Sequence, residues 1–339
     1  MTKIEWTEAT WNPIVGCSLA SPGCTNCYAM RFAGTRLAHL PKYYGLTQQS
    51  KAGPVWTGKL AFDEKALLEP LRWKKPRMVF VNSMGDLFHE DCPDEWIDRV
   101  FAVMALCPQH TFQVLTKRAG RMREYLTAWS GDWSRTDAIW NEIDMLTEAG
   151  MGDPGDREIV LPLPNVWLGV SVEDQQRADE RIPDLLATPA AVRWISAEPL
   201  LGQVSLMQIN VGNSVMHDAL NGSSYDELGQ RGDCGTIDWV VVGGESGKGV
   251  RPMHPDWARS LRDQCAAADV PFFFKQWGEW EPRHSWGERK MVAIDANGRK
   301  IPDDVVPQDV GGQRFAHVGK KRALRLLDGV EHNAMPGQS

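Results

Sequence analysis

Met78-Val79-Phe80-Val81-Asn82-Ser83-Met84-Gly85-Asp86 joins an unbroken apolar run to a cluster of short polar residues. Consecutive apolar residues, rather than alternating ones, suit a strand buried on both faces, as in a parallel sheet. The pattern recurs along the chain. Thr111–Leu115 ends at Thr116-Lys117, and Val166–Val170 at Ser171-Val172-Glu173. Val192–Ile195 ends at Ser196-Ala197-Glu198-Pro199, and Trp239–Val242 at Gly243-Gly244-Glu245-Ser246. Pro271–Phe274 ends at Lys275-Gln276-Trp277-Gly278. Helical patterns lie between, from Pro93-Asp94-Glu95 to about Leu106, from about Gly120 to Trp129, and over 255–268 after Pro255. Two further strands are expected near Glu5–Pro13 and Lys59–Phe62, the latter before a helix at 63–73. No Gly-rich dinucleotide fingerprint follows any strand, so the expected fold is α/β, a complete or partial TIM-like (βα) barrel, not a doubly wound sheet.

Two polar stretches, 130–164 and 203–236, interrupt the pattern and read as insertions or long loops. The barrel is expected over 1–280, with a C-terminal extension over 281–339. Met291–Ile294 with Asp295-Ala296-Asn297-Gly298 predicts a β-hairpin in that extension. Residues 333–339 are expected to fray.

The 339 residues are 42% hydrophobic and 24% charged, an ordinary globular composition. No run approaches eighteen apolar residues, which argues against a membrane-spanning helix. The start, Met1-Thr2-Lys3-Ile4-Glu5-Trp6, does not read as a signal peptide, and a cytoplasmic location is expected. The formal net charge of −7 excludes a uniformly basic nucleic-acid coat. The charge is uneven, however. Residues 31–77 carry ten Lys/Arg against three acids, and 314–325 holds Arg314, Lys320, Lys321, Arg322 and Arg325 with no acid. Residues 137–158 carry seven acids against Arg157. Such segments are either solvated faces or a local basic surface for a phosphate-bearing substrate.

Three of the seven cysteines, Cys17, Cys24 and Cys27, fall in one segment spaced C-x6-C-x2-C, with Pro22-Gly23 bending the chain between the first two. Cys92, Cys107, Cys234 and Cys265 are scattered and read as ordinary buried thiols. Three thiolates on one loop suit a soft metal or an iron–sulfur cluster. A [4Fe–4S] cluster held by three cysteines keeps one iron without a protein ligand. Structural zinc needs a fourth ligand, such as His39 or a distant Cys.

An early cysteine triplet ending Cys24-Thr25-Asn26-Cys27-Tyr28-Ala29 at the start of a βα barrel resembles the radical S-adenosylmethionine superfamily, with the first interval three residues longer than usual. Over nearly all of 5–330 the chain is similar to the phage-associated three-Cys-motif family named after phage gene products thirty-seven and sixty-eight. The matching segments include Thr10–Cys17, Cys24–Ala29, Asn82–Asp86, Ser196–Gly202, Gly243–Ser246, Phe274–Trp280 and Gly319–Gly329. The resemblance implies that Cys17, Cys24 and Cys27 ligate three irons of a [4Fe–4S] cluster. The fourth iron would hold S-adenosylmethionine, whose reductive cleavage gives a 5′-deoxyadenosyl radical. It also implies an electron donor, a companion protein encoded nearby, and a substrate that is nucleic acid or a nucleotide. Gly243-Gly244-Glu245 resembles the superfamily element that holds the methionyl amino group, though it sits at a late strand here. Tyr28, beside the last cysteine, would contact the adenine.

In a barrel the strand ends line the active site. The expected cofactor pocket is therefore Gly243, Gly244 and Glu245 with Asn82, Ser83 and Ser171, and the catalytic candidates are Glu198, Lys275, Lys117 and Asp86. The glycines allow close backbone approach by a ligand. Two pairings compete with those roles: Glu198 with Lys275, and Glu245 with Lys275 or Arg251, as structural ion pairs. Asp86 and His89 are either a proton-transfer pair or part of a capped loop. Gly243–Gly249 fails the Walker pattern at both ends, and His89-Glu90 lacks the second histidine of a zinc protease. The alternative to a radical enzyme is a metal-stabilised barrel that binds nucleic acid or a protein partner without radical chemistry.

Overall fold

The computed structural model describes residues 4–131, 133–152, 155, 160–283 and 290–337. Met1–Lys3, Asp153, Pro154, Asp156, Arg157, Glu158 and the terminal Gln338-Ser339, used in the sequence reading, lie outside them. The chain forms two compact units. The first comprises Met1–Ser21, Cys27–Val170 and Ala187–Arg193; the second comprises Pro22–Asn26, Ser171–Leu186 and Trp194–Ser339.

In the first unit, β1 (Ala9–Trp11), β2 (Met78–Val81), β3 (Thr111–Thr116) and β4 (Val166–Ser171) pair in parallel, in that order. Their continuous apolar runs are buried, with Val79, Phe112 and Val114 fully inaccessible. Trp11 packs on Phe112 at 5.4 Å and sends its indole N–H to the Ala66 carbonyl at 2.8 Å. The helix α1 (Tyr28–Gly34) follows the cysteine segment, and α2 (Asp94–Leu106) joins β2 to β3. After β3 come α3 (Ala119–Gly131) and α4 (Trp133–Glu148). Within the polar stretch 130–164, residues 133–148 thus form a helix, which packs on α2 and buries Ile139, Ile143 and Leu146. Those three apolar residues, spaced four and three apart, are the stripe its polar composition masks.

In the second unit, β5 (Val192–Ala197), β6 (Trp239–Gly243) and β7 (Phe272–Gln276) are again parallel and in chain order. Trp194 and Trp239 pack within it at 5.4 Å with their rings tilted by 36°. The helix α5 (Gln175–Leu186) precedes β5, and α6 (Pro255–Ala267) crosses from β6 to β7, as its Pro-Asp start predicts. The stretch 203–236 contains a four-stranded antiparallel meander, Ile209–Asn210, Met216–Asp218, Ser223–Tyr225 and Arg231–Asp233. The expected hairpin turn is present at Asp295–Gly298, but Met291–Ile294 pairs chiefly with Gln313–His317 in a three-stranded sheet that begins at Trp280.

All six strong strands are therefore parallel to their neighbours within their unit, and strand order follows chain order. That is the winding of a (βα) barrel and not of a doubly wound sheet. One expectation is corrected. Ala61–Phe62 is not a further parallel strand; it pairs antiparallel with Ile14–Val15. Pairing there is fixed by Gly16, whose φ of +101° and close approach to the Lys59 carbonyl leave no room for a Cβ. Among the described residues no helix is long and apolar enough to cross a membrane.

Candidate functional site

In the first unit the carboxyl ends of β1, β2 and β3 converge on one arginine. Gly16 donates its N–H to the Met84 carbonyl at 3.1 Å, which sets Cys17 and Ser18 beside the loop after β2. That loop starts at Asn82, held at φ +55° by its N–H to the Trp11 carbonyl and by its Oδ1, which accepts from Ile14 N. Asn12 Oδ1 accepts from Met84 N and Ser83 Oγ, closing the turn from the other side. Asp86 is buried and accepts four hydrogen bonds: from Thr116 Oγ1 at 2.7 Å, Phe88 N at 3.1 Å, Lys117 N at 3.1 Å and Arg118 Nη1 at 3.1 Å. Arg118 also donates through Nε to Glu90 at 3.2 Å, through Nη2 to Ser18 Oγ at 2.7 Å and Ser18 O at 3.2 Å, and through Nη1 to Cys17 Sγ at 3.6 Å. Burial works against this charge, but Asp86, the Cys17 sulfur and Glu90 outweigh it, so the guanidinium is held above its ordinary pKa.

His89 is turned to the same hydroxyl. Its Nδ1 accepts from Asp91 N at 3.1 Å and its Nε2 lies 2.9 Å from Ser18 Oγ. Burial, then the Arg118 charge, lowers its pKa, so the ring is neutral with its proton on Nε2 and donates to Ser18. Asp86 caps its own loop through Phe88 N, and the His89 side chain has other partners, which favours the capped-loop reading of these two residues. Tyr28, exposed on α1, donates its hydroxyl to the Ser83 carbonyl at 2.9 Å.

The second unit places its strand-end residues in a separate set of ion pairs. Glu173, fully buried, pairs with Arg181 at 2.8 Å, and Arg181 also donates to the Ser171 carbonyl at 2.8 Å. A Cβ on Gly23 would lie 2.4 Å from Glu173 Oε1, so glycine is the residue that lets the Pro22-Gly23-Cys24 turn rest on this carboxylate. Glu245 accepts from Arg251 N, Nε and Nη2 at 2.8, 3.1 and 2.6 Å and from Asn26 Nδ2 at 2.9 Å. Arg251 Nη2 reaches the Pro22 carbonyl at 3.0 Å. The segment carrying Cys24 is thereby tied at both ends. Glu198 accepts from Lys275 Nζ at 2.8 and 2.7 Å and from Gln276 Nε2 at 3.2 Å. The side-chain space of Gly243 faces the Glu198 carboxylate, and that of Gly244 is filled by the Trp277 carbonyl, where a Cβ would sit at 2.1 Å. These glycines serve close packing of the protein on itself.

Cys24 is buried, and Cys17 and Cys27 are half-buried. The donor chemistry suits a soft metal or cluster, since a cationic N–H aimed at Cys17 Sγ favours the thiolate that ligation needs. Among the described residues no three His, Cys, Asp or Glu side chains are gathered at metal-ligating positions, and His39, one of the candidates for a fourth zinc ligand, is exposed. The four scattered cysteines behave as expected of buried thiols: burial pushes Cys92, Cys107 and Cys265 up to about 12 and raises Cys234. The sequence reading missed Arg118, Ser18, Arg181 and Asn26. Arg118 follows Thr116-Lys117 directly, at a strand end already singled out, and was the recoverable one.

No curated protein and no solved structure matches the chain. A family model, that of a protein family of unknown function designated DUF5131, matches residues 1–336. The chain, with its strand-end network and cysteine segment, belongs to the DUF5131 family.

Proposed function

We propose that the protein is a cytoplasmic radical S-adenosylmethionine-type enzyme built on a partial (βα) barrel, with Cys17, Cys24 and Cys27 as the ligands of a [4Fe–4S] cluster. The observation that carries this reading is the setting of Cys17: its sulfur lies at the carboxyl ends of successive parallel strands and accepts a hydrogen bond from buried Arg118. When bound, cluster and S-adenosylmethionine supply one-electron cleavage of a sulfonium, with the electron drawn from a separate donor. The chain's own residues hold and orient. Arg118 fixes the Cys17–Ser18 backbone, Glu173 and Glu245 with Arg251 fix the turn that carries Cys24, and Asn82 and Ser83 shape the loop against which Tyr28 rests. The substrate class is nucleic acid or nucleotide, and a companion protein encoded nearby is its expected partner.

A second reading, a metal-stabilised barrel that binds its partner without radical chemistry, is favoured by the full engagement of Glu245 and Glu198 with protein donors. Anaerobic reconstitution separates the two. The radical reading expects about four irons per chain, release of 5′-deoxyadenosine on reduction, and loss of iron in each of Cys17→Ala, Cys24→Ala and Cys27→Ala but not in Cys107→Ala or Cys265→Ala. Colourless protein that retains zinc would decide for the second reading, and equal iron in all five variants would refute the ligand assignment.

A further inference from the structure

We propose that α1 and the loop after it form a landing surface for single-stranded nucleic acid. The helix is built inside out. It buries Ala29, Met30 and Ala33 in the cluster that includes Tyr43, Leu46 and Trp56, and buries Gly34 beside Pro54. Its two largest side chains, Tyr28 and Phe32, are left 45% and 40% exposed. They lie one turn apart with ring centroids 6.4 Å apart, edge to face. The helix cannot roll to hide them. A Cβ on Gly34 would lie 2.2 Å from Pro54, so the backbone is pressed against the Gly53–Trp56 strand, and the Tyr28 hydroxyl is pinned to the Ser83 carbonyl at 2.9 Å. A fixed pair of half-exposed aromatic rings offers stacking faces to a ligand.

Charge identifies the occupant. Residues 9–62 contain Arg31, Arg36, Lys42, Lys51 and Lys59 and no acid, in a chain of net charge −7, although Lys42 is paired with Asp63 at 2.9 Å. Arg31 lies on α1 between the two aromatics, and Arg36 is exposed just beyond the helix. Aromatic faces beside cations match bases joined by phosphates. A duplex hides its base faces in the stack, and an apolar protein surface would gain nothing from the neighbouring Arg31 and Arg36. A single strand satisfies both features.

This inference names the substrate class for the function proposed above and rests on that function only for the chemistry, so binding is measured on full-length metal-free protein. Fluorescence anisotropy with labelled oligo-dT and oligo-U of about twenty nucleotides, and with a duplex of equal length, reads it directly. The single strands should bind more tightly than the duplex. Phe32→Ala and Phe32→Leu should each weaken them roughly five- to a hundredfold, the range of one lost base stack. Arg31→Gln with Arg36→Gln should lower the slope of log affinity against log salt by about 1.4 for two lost phosphate contacts. Unchanged thermal melts confirm that the exposed substitutions leave the fold intact. Wild-type affinity in Phe32→Ala, or duplex bound as tightly as single strand, would overturn the proposal. Either result leaves the iron content of the protein, and with it the cluster assignment, untouched.

Discussion

Replacing Arg118 by Met tests whether the strand-end network holds the first unit together. Of its partners, Glu90 is largely exposed, so that ion pair contributes little once solvent screens it. The Asp86 pair is different, because the two side chains are only 5% and 6% exposed. Removing one member of a buried pair costs about 3–5 kcal/mol, since the other charge is left unpaired. Three donors remain on Asp86, from Thr116, Lys117 and Phe88, which places the loss near the lower end, about 3 kcal/mol. For a unit of this size that lowers the melting midpoint by roughly 6–12 °C. The assay is thermal unfolding of metal-free protein, followed by circular dichroism. Asp86→Asn in the Arg118→Met background should recover part of the loss, because the amide needs no counter-charge. A drop below about 1 kcal/mol, or no recovery in the double variant, would show that Arg118 is not the counter-ion of a buried carboxylate.

Two further outcomes follow from the second unit. Glu245→Gln should lower its stability by about 1.5–3 kcal/mol, the usual worth of a charged hydrogen bond, because an amide N–H₂ then faces donors of Arg251 and Asn26. S-adenosylmethionine affinity, read by calorimetry on iron-loaded protein, should be retained; lost affinity with an unchanged melt would assign Glu245 to the methionyl ammonium instead. His254 caps α6 by accepting Asp256 N on Nδ1, and its Nε2 is buried without a partner. Burial lowers its pKa, so the unfolded chain binds the extra proton as pH falls below about 6.5 and stability is lost from there downward. His254→Asn keeps a capping acceptor without a titrating ring. Denaturant unfolding at pH 7 and pH 5.5 should show the variant spared about 1 kcal/mol of the wild-type loss, and equal losses would contradict a neutral buried ring.

Much of the parallel sheet was legible because strands buried on both faces carry their signal locally. Met78–Val81 and Trp239–Val242 are apolar without interruption, and both are strands. Segments stabilised by distant partners were not. Among its described side chains α4 has a stripe of three buried apolar residues within a polar sequence, and it packs on α2, which no local pattern reveals. The 203–236 meander consists of strands of two or three residues, too short for alternation to register. Ala61–Phe62 was misplaced for the same reason: its direction is set by Ile14–Val15, nearly fifty residues earlier.

The site divides along the same line, and the division bears on chemistry. Sequence identified which strand ends are polar, but not how their charges are spent. Asp86 and Glu245 each accept four hydrogen bonds, and Glu198 accepts three, two of them from the Lys275 ammonium. Donors on several sides fix the position and orientation of each carboxylate. These groups therefore fix backbone: Asp86 the loop after β2, Glu245 the turn carrying Cys24, and Glu198 the ends of β5 and β7. Around the cysteine segment these contacts form a scaffold: Arg118 holds Cys17 and Ser18 in the first unit, and Arg251 holds the Pro22 carbonyl in the second.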